Sequence, residues 1–253
     1  MRISLRNNIS PQIMRLQAFL RASAAPNRDV VELPPFTAFI HPSERLKYFS
    51  YAIPDGDVEP TEADIVRLRA AFSARQRLPR LEWIEEAAPR VAGALARAGM
   101  REELRTPLMS CGPDAIVEPT VGGATVAAAS DDDLRELANI QRSAFGHEPL
   151  RNDEEPQRPS GGALLARIGP EAVSAAAWTA VVDDHSEIVG VATAEPWRGK
   201  GLAGLVTAAA SRAAFEAGAS TCVLSPGDEA AQRVYSRAGF LRVATMLHYS
   251  DPD

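Results

Sequence analysis

Hydrophobic and polar positions along this chain follow two periods. Apolar residues recur every three to four positions over 9–24, 61–77, 88–98, 131–145, 202–217 and 228–238, which places them on one helix face. Shorter runs rich in apolar and β-branched residues predict strands near 36–40, 47–53, 80–85, 104–110, 123–129, 163–168, 172–182, 187–194, 220–225 and 241–249. Gly-Pro, Gly-Gly and Pro-rich breaks separate these runs. Gly112-Pro113-Asp114 closes the first half, and the polar stretch 147–162, with Pro149, Pro156 and Pro159, reads as an exposed loop. Helices alternating with strands predict a mixed α/β (α+β) class.

The pattern contains an internal similarity. Ala94-Leu95-Ala96-Arg97-Ala98-Gly99-Met100 resembles Val234-Tyr235-Ser236-Arg237-Ala238-Gly239-Phe240. In each, a helix stops at a glycine suited to the C′ position and a strand follows at once. Two related halves are expected, 1–115 and 116–253.

One turn is built for an anion. Arg198-Gly199-Lys200-Gly201-Leu202-Ala203 follows the strand-like run Ile188–Ala194 and opens the helix-like run Leu202–Ala217. First-turn N–H groups lack intrahelical partners and point at whatever lies before them. Glycines let the backbone approach such a ligand closely. The first half has no glycine between Thr61 and Arg80, so only the second half is expected to keep a ligand site.

Composition narrows the partners. With 253 residues the chain is long for one domain and comfortable for two. The net charge of −6 argues against a nucleic-acid scaffold. Residues 1–120 carry 16 Lys+Arg and 15 Asp+Glu, leaving +1, and residues 121–253 carry 11 and 18, leaving −7. The acidic half suits a cationic partner such as an amine, but a solvated acidic surface is the first reading of such a charge. No apolar run reaches the roughly 20 residues of a membrane span, and the N-terminus lacks a signal-like core, so a cytoplasmic location is expected. Cys111 and Cys222 lie in different halves, and with the four histidines they form no metal-ligand spacing.

Residues 121–251 resemble the GCN5-related N-acetyltransferases, the GNAT superfamily. Arg198, Gly201 and Ala203 fill that family's pyrophosphate-loop pattern, Q/R-x-x-G-x-G/A. Asp228 to Phe240 resembles its late helix, with Asp228 where Asn is common. The resemblance implies two GNAT-like mixed sheets flanked by helices, the second complete with a splayed cleft between the family's fourth and fifth strands. It implies acetyl-CoA or another acyl-CoA as co-substrate and no metal. Val191, Ala192 and Thr193 match residues that line the pantetheine arm. Arg198, Gly199, Lys200, Gly201, Leu202, Ala203 and Asp228 match residues around the coenzyme.

The resemblance also assigns chemistry. Glu187 stands 11 residues before Arg198, the spacing of the strand glutamate that serves as base in the histone-acetylating members. Glu187 also reads as an ordinary strand-end carboxylate, and Glu195 is the second candidate, with a turn or cap role beside it. Tyr235 matches the tyrosine near the thioester sulfur. A phenol with an unperturbed pKa of about 10 is an acid at neutral pH, not a resting base. Strand N–H groups near Ala192–Ala194 are candidate oxyanion donors. Cys222 reads as a buried small residue rather than an acyl carrier, and His147 as a loop histidine.

The first half resembles the degenerate half of tandem two-GNAT proteins. Leu95 stands at the tyrosine position, and Trp83 is expected to pack at the junction of the halves. The expected function is N-acyl transfer to a small-molecule amine by a monomer or homodimer, without nucleic acid or membrane. A longer acyl-CoA or carrier-protein donor and a non-catalytic acyl-CoA-binding module stay open.

Overall fold

The computed structural model describes residues 9–252. By internal contacts the chain divides into two compact units. Among the described residues, 9–108 with 244–252 form the first, and 109–243 the second. Eleven strands hydrogen-bond in one ordered series, β1-β2-β3-β4-β11-β5-β10-β9-β8-β7-β6, so the two expected sheets are one.

The first unit contains α1 (Pro11–Ala24), the hairpin β1 (Asp29–Leu33) and β2 (Phe36–Ile40), β3 (Tyr51–Pro54), α2 (Glu62–Ser73), β4 (Arg80–Ile84) and α3 (Val91–Arg97). It also holds most of β5 (Arg101–Cys111) and of β11 (Leu241–Ser250). Pro11 opens α1, where its missing N–H costs nothing. Thr61 and Asp64 close a reciprocal capping box on α2. The hydrophobic pattern missed β1, a short, mostly exposed strand in which Asp29 and Glu32 interrupt the apolar positions. Residues Lys47–Phe49 form a 3-10 turn before β3 rather than the start of a strand. The core gathers Phe36, Leu68, Phe72, Leu81, Leu95 and Leu247. Trp83 is 1% exposed in this same core, 5.5 Å from the Tyr249 ring, and its Nε1 donates to Ala88 O at 3.2 Å.

Beside this core lies a group of charges. Arg80 is 3% exposed, pairs with Glu82, and donates to Glu103 at 2.8 Å and to His248 Nδ1 at 3.0 Å. Lys47 donates to Glu103 at 2.5 Å. Burial raises the Glu103 pKa, but the Lys47 and Arg80 bonds outweigh it and hold the carboxyl at about 2. Burial and then the Arg80 charge keep His248 neutral, its pKa lowered to about 4.

The second unit contains β6 (Ala124–Ala128), α4 (Leu134–Ala144), β7 (Gly162–Ile168), β8 (Glu171–Trp178) and β9 (His185–Thr193). After these come α5 (Leu202–Glu216), β10 (Thr221–Leu224) and α6 (Glu229–Arg237). The strand expected over 172–182 ends at Trp178, because Asp183 and Asp184, both at positive φ, turn the chain into β9. Two clusters cover opposite faces of these strands. One holds Ile188, Leu205, Val206, Cys222, Tyr235 and Phe240 with α5 and α6. The other holds Leu137, Ile140, Ala175, Ala177 and Ala192 with α4.

The two helix stops seen in the sequence close alike. Met100 N–H donates to Leu95 O and Phe240 N–H to Tyr235 O, both at 3.0 Å. Gly99 and Gly239 sit at φ +85° and +101°. The strands they release then diverge in partnership. The end of β5 pairs with β10 in the second unit, Cys111 opposite Cys222. The end of β11 pairs with β4 in the first unit, Met246 opposite Ile84.

Candidate active site

The site begins where two parallel strands part. Pairing of β9 with β10 runs from Thr221↔His185 to Val223↔Glu187 and then stops. β9 continues to Thr193, held on its other side by β8. Beyond Glu187 it therefore presents an open edge, and Val189, Gly190 and Val191 on it are half-buried.

This edge is bent by a bulge. Ala175↔Ala192 and Ala177↔Val189 are in register, so Gly190 and Val191 together oppose Ala176. Gly190 has φ +60°, which only glycine adopts freely. Its carbonyl accepts from Gln141 Nε2 at 2.8 Å. The bulge reverses the alternation of faces. Val189 packs on the α4 side and Val191 on the α5 side, where an unbroken strand would put both on one.

Beyond β9 comes the turn. Glu195–Trp197 is a 3-10 turn, and Glu195 is exposed and accepts the Arg198 N–H at 3.2 Å, which makes it a turn residue. Gly199 and Gly201 take φ +77° and +86°. Gly201 is the N-cap of α5, with no side-chain cap and no acid in the first turn. The N–H groups of Leu202, Ala203 and Gly204 therefore lack intrahelical acceptors and carry the positive end of the helix dipole. Arg198 and Lys200 are exposed beside them. Arg198 Nε donates to Thr193 O at 3.3 Å, and Lys200 Nζ lies 4.3 Å from the Trp197 ring centre. The Leu202 side chain is 1% exposed in the core, so only its backbone can face a ligand. Thr193 is buried and hydrogen-bonded to Ser174 at 2.9 Å, and Ala192 packs beneath α4. Of the expected arm-lining trio, Val191 packs on the α5 side of the edge and Ala192 on the α4 side.

Glu187 and Tyr235 are placed on opposite faces of the strands. Glu187 is half-buried at the last β9–β10 pair. Two residues before Val189, it shares that residue's α4-side face. Tyr235 is 9% exposed in the α5–α6 cluster, 6.4 Å from the Phe240 ring. Burial and then the Asp228 charge push its phenol up to about 12. Asp228 itself caps α6, accepting from Ala231 N at 2.7 Å. Cys222 is fully buried, and burial drives its thiol up to about 12, which removes it as a nucleophile. His147 is half-buried at the end of α4, where its N–H donates to Arg142 O at 2.8 Å.

Sequence reasoning did not single out Gln141. On α4 the residue is one amide among polar neighbours, and only its bond to a carbonyl 49 positions away gives it a place in the site.

Residues 132–240 match the model of the acetyltransferase (GNAT) family. The chain is 32% identical to a GCN5-related N-acetyltransferase from Kribbella flavida, with a TM-score of 0.81, covering 95% of this chain and 96% of that one. This chain belongs to the GCN5-related N-acetyltransferase family. Two more distant structures share the acetyltransferase's fold. One is a GCN5-related N-acetyltransferase from Sphaerobacter thermophilus, at 17% identity and TM-score 0.62, covering 86% of this chain and 76% of that one. The other is a tandem GNAT protein from the clavulanic acid biosynthesis pathway, at 10% identity and TM-score 0.56, covering 86% and 79%. No protein of curated function matches the chain. Acetyl-CoA is the family's co-substrate. Among the described residues no helix is long and apolar enough to cross a membrane, and no group of three or more His, Cys, Asp or Glu is placed to hold a metal ion.

Proposed function

We propose that this acetyltransferase transfers an acyl group from a coenzyme A thioester to the amine of a small molecule by direct attack. The observation that carries this reading is the continuous path from the open β9 edge to the uncapped start of α5. A pantetheine arm would add to the edge as an extra strand, near Val191. The pyrophosphate would meet the first-turn N–H groups of α5, with Arg198 and Lys200 beside it. The same element order in both units, strand–helix–strand–helix–glycine–strand, supports a tandem origin with a first half that lacks this site.

The opposite faces of Glu187 and Tyr235 fit the direction of the reaction. The amine approaches from the α4 side, where Glu187 takes its proton, directly or through water. The thioester carbonyl lies in the gap, where N–H groups of the bulged edge stabilise the oxyanion. The thiolate leaves on the α5–α6 side. With a pKa of about 12, Tyr235 serves there as a hydrogen-bond donor to sulfur rather than as a full acid, since a thiol near ~8.5 would not take its proton downhill. Most of the acceleration comes from holding amine and thioester together.

Calorimetry with acetyl-CoA tests the site. Gly201→Glu adds a negative charge to the anion site, strains φ +86°, and places Cβ 3.4 Å from Val121 Cγ2. Affinity should fall at least about 100-fold. Equal binding by the two proteins would sink the assignment. Thiol release over an amine library then separates an enzyme from a binding module.

A further inference from the structure

We propose that Gln141 is a positioning residue for acyl transfer, fixing the β9 bulge that aims backbone N–H groups into the open edge. The inference rests on the acyltransferase reading of that edge. Four observations converge on Gln141. Its Nε2 donates to Gly190 O at 2.8 Å, across from α4 to the strand. A Cβ at Gly190 would collide with the Gln141 carboxamide, so the glycine leaves the space that the amide fills. Gly190 is at φ +60°, and it and Val191 together oppose one residue of β8. The bulge also falls on the segment of β9 that β10 does not pair.

These facts make the bulge dependent on a partner outside the sheet. A bulge leaves its extra residue outside the ladder. At an edge with a neighbouring strand on both sides, two ladders would hold it. Here β8 alone does so, and the Gly190 carbonyl is satisfied by α4. The α4 helix is itself anchored, with Leu137 and Ile140 in the cluster that holds Val189 and Ala192. Gln141 thus ties the bulge to a rigid support one residue past Ile140. Losing the tie lets Gly190 and Val191 return towards regular register, which would exchange their faces and turn their N–H groups away from the thioester carbonyl.

The test compares Gln141→Leu, which keeps the bulk and removes the donor, with the parent. Hydrogen–deuterium exchange of the 188–193 segment should quicken about tenfold, while α5 and β7 exchange as before, because one bond of ordinary strength is lost locally. In thiol-release kinetics kcat should fall about 30-fold with the KM for acetyl-CoA changed less than about threefold, since the loss is confined to the transition state. Gln141→His, which can still donate across the gap, should recover part of kcat. A residue with a merely structural role would lower the melting temperature and leave kcat of the folded enzyme intact. Unchanged exchange at 188–193, or kcat within about twofold of the parent, overturns the proposal. If the parent itself neither binds acetyl-CoA nor releases thiol, the acyltransferase reading fails, and the exchange result still decides whether Gln141 holds the bulge.

Discussion

The helices α2 and α5 occupy the same place in two strand–helix–strand units, and their N-termini are finished in opposite ways. α2 follows β3 and leads to β4, which pairs parallel with β3 at Ala52↔Leu81. α5 follows β9 and leads to β10, again parallel. The connection into α2 carries Asp55, Asp57 and Glu59, with Glu62 and Asp64 in the first turn. The connection into α5 carries one acid, Glu195, with Arg198 and Lys200 after it and no first-turn acid. The Thr61 side chain accepts the Asp64 N–H, and the carboxylates before it pair with Arg21, Arg90 and Arg97 of the same unit. One helix start is sealed by its own side chains. The other, capped by a glycine, has no side-chain cap.

The comparison corrects the reason for expecting one site. Glycine is lacking from Thr61 to Arg80, but that stretch is α2 and the loop after it. The segment that corresponds to the anion turn is 55–61, and it contains Gly56. Charge and capping, not a lack of glycine, distinguish the start of α2 from that of α5.

The largest expected effect lies on the groups proposed to react, Glu187 and Tyr235, the second of which is replaced by Leu95 in the first unit. Glu187→Gln should lower kcat about 100-fold near about pH 6, with a smaller loss at higher pH, where more amine arrives deprotonated. A parallel pH–rate profile would remove Glu187 as base. Tyr235→Phe should lower kcat about tenfold at every pH below its folded pKa of about 12, because the phenol stays neutral throughout.

Next comes the charge of the turn itself. Arg198→Glu with Lys200→Glu gives α5 the acidic approach of α2. Acetyl-CoA affinity should fall about 30-fold at low salt, and the remaining binding should strengthen rather than weaken as salt is added, because the added carboxylates repel the anion. Calorimetry at two ionic strengths reads both. Affinity within about threefold of the parent at low salt would mean that the N–H groups alone define the site.

A third expectation separates the units by stability. Glu103 is held at about 2, against an ordinary 4.5, by the Lys47 and Arg80 bonds that outweigh its burial. Its folded pKa is depressed, so its contribution is complete above about pH 4.5 and is lost as pH falls towards about 2. Glu103→Gln should cost about 2 kcal/mol near neutral pH in denaturant unfolding, part of it from leaving Arg80 short of a partner. The difference between variant and parent should vanish near about pH 2; a gap constant with pH would place the effect in packing.

How far the sequence spoke depended on the kind of signal. Helices α1 to α6 were legible because 3.6-residue spacing marks their faces, and Gly99 and Gly239 mark the ends of α3 and α6. The anion turn was legible because its residues are contiguous. The partner of β11 was not, since a strand's composition does not name its neighbour, and Met246 pairs with Ile84 162 positions away. The bulge was marked only by Gly190, and its support by Gln141 is a contact between elements with no local trace.

The smallest effect tests the sealed helix directly. Thr61→Ala removes the hydroxyl that accepts the Asp64 N–H and donates to the Asp64 carboxylate, and leaves only the backbone N–H of residue 61 bonded to that carboxylate. Loss of an N-cap of this kind should cost about 1 kcal/mol, read as a lower denaturant midpoint with unchanged slope. Acetyl-CoA binding at α5 should be untouched. The opened α2 start should still bind no anion, because Glu62 and Asp64 remain at its positive end and neutralise it. Only a variant that also replaces both acids would expose the bare N–H groups. A second acetyl-CoA equivalent bound by Thr61→Ala alone would show that the cap, and not the charge, separates the two helix starts.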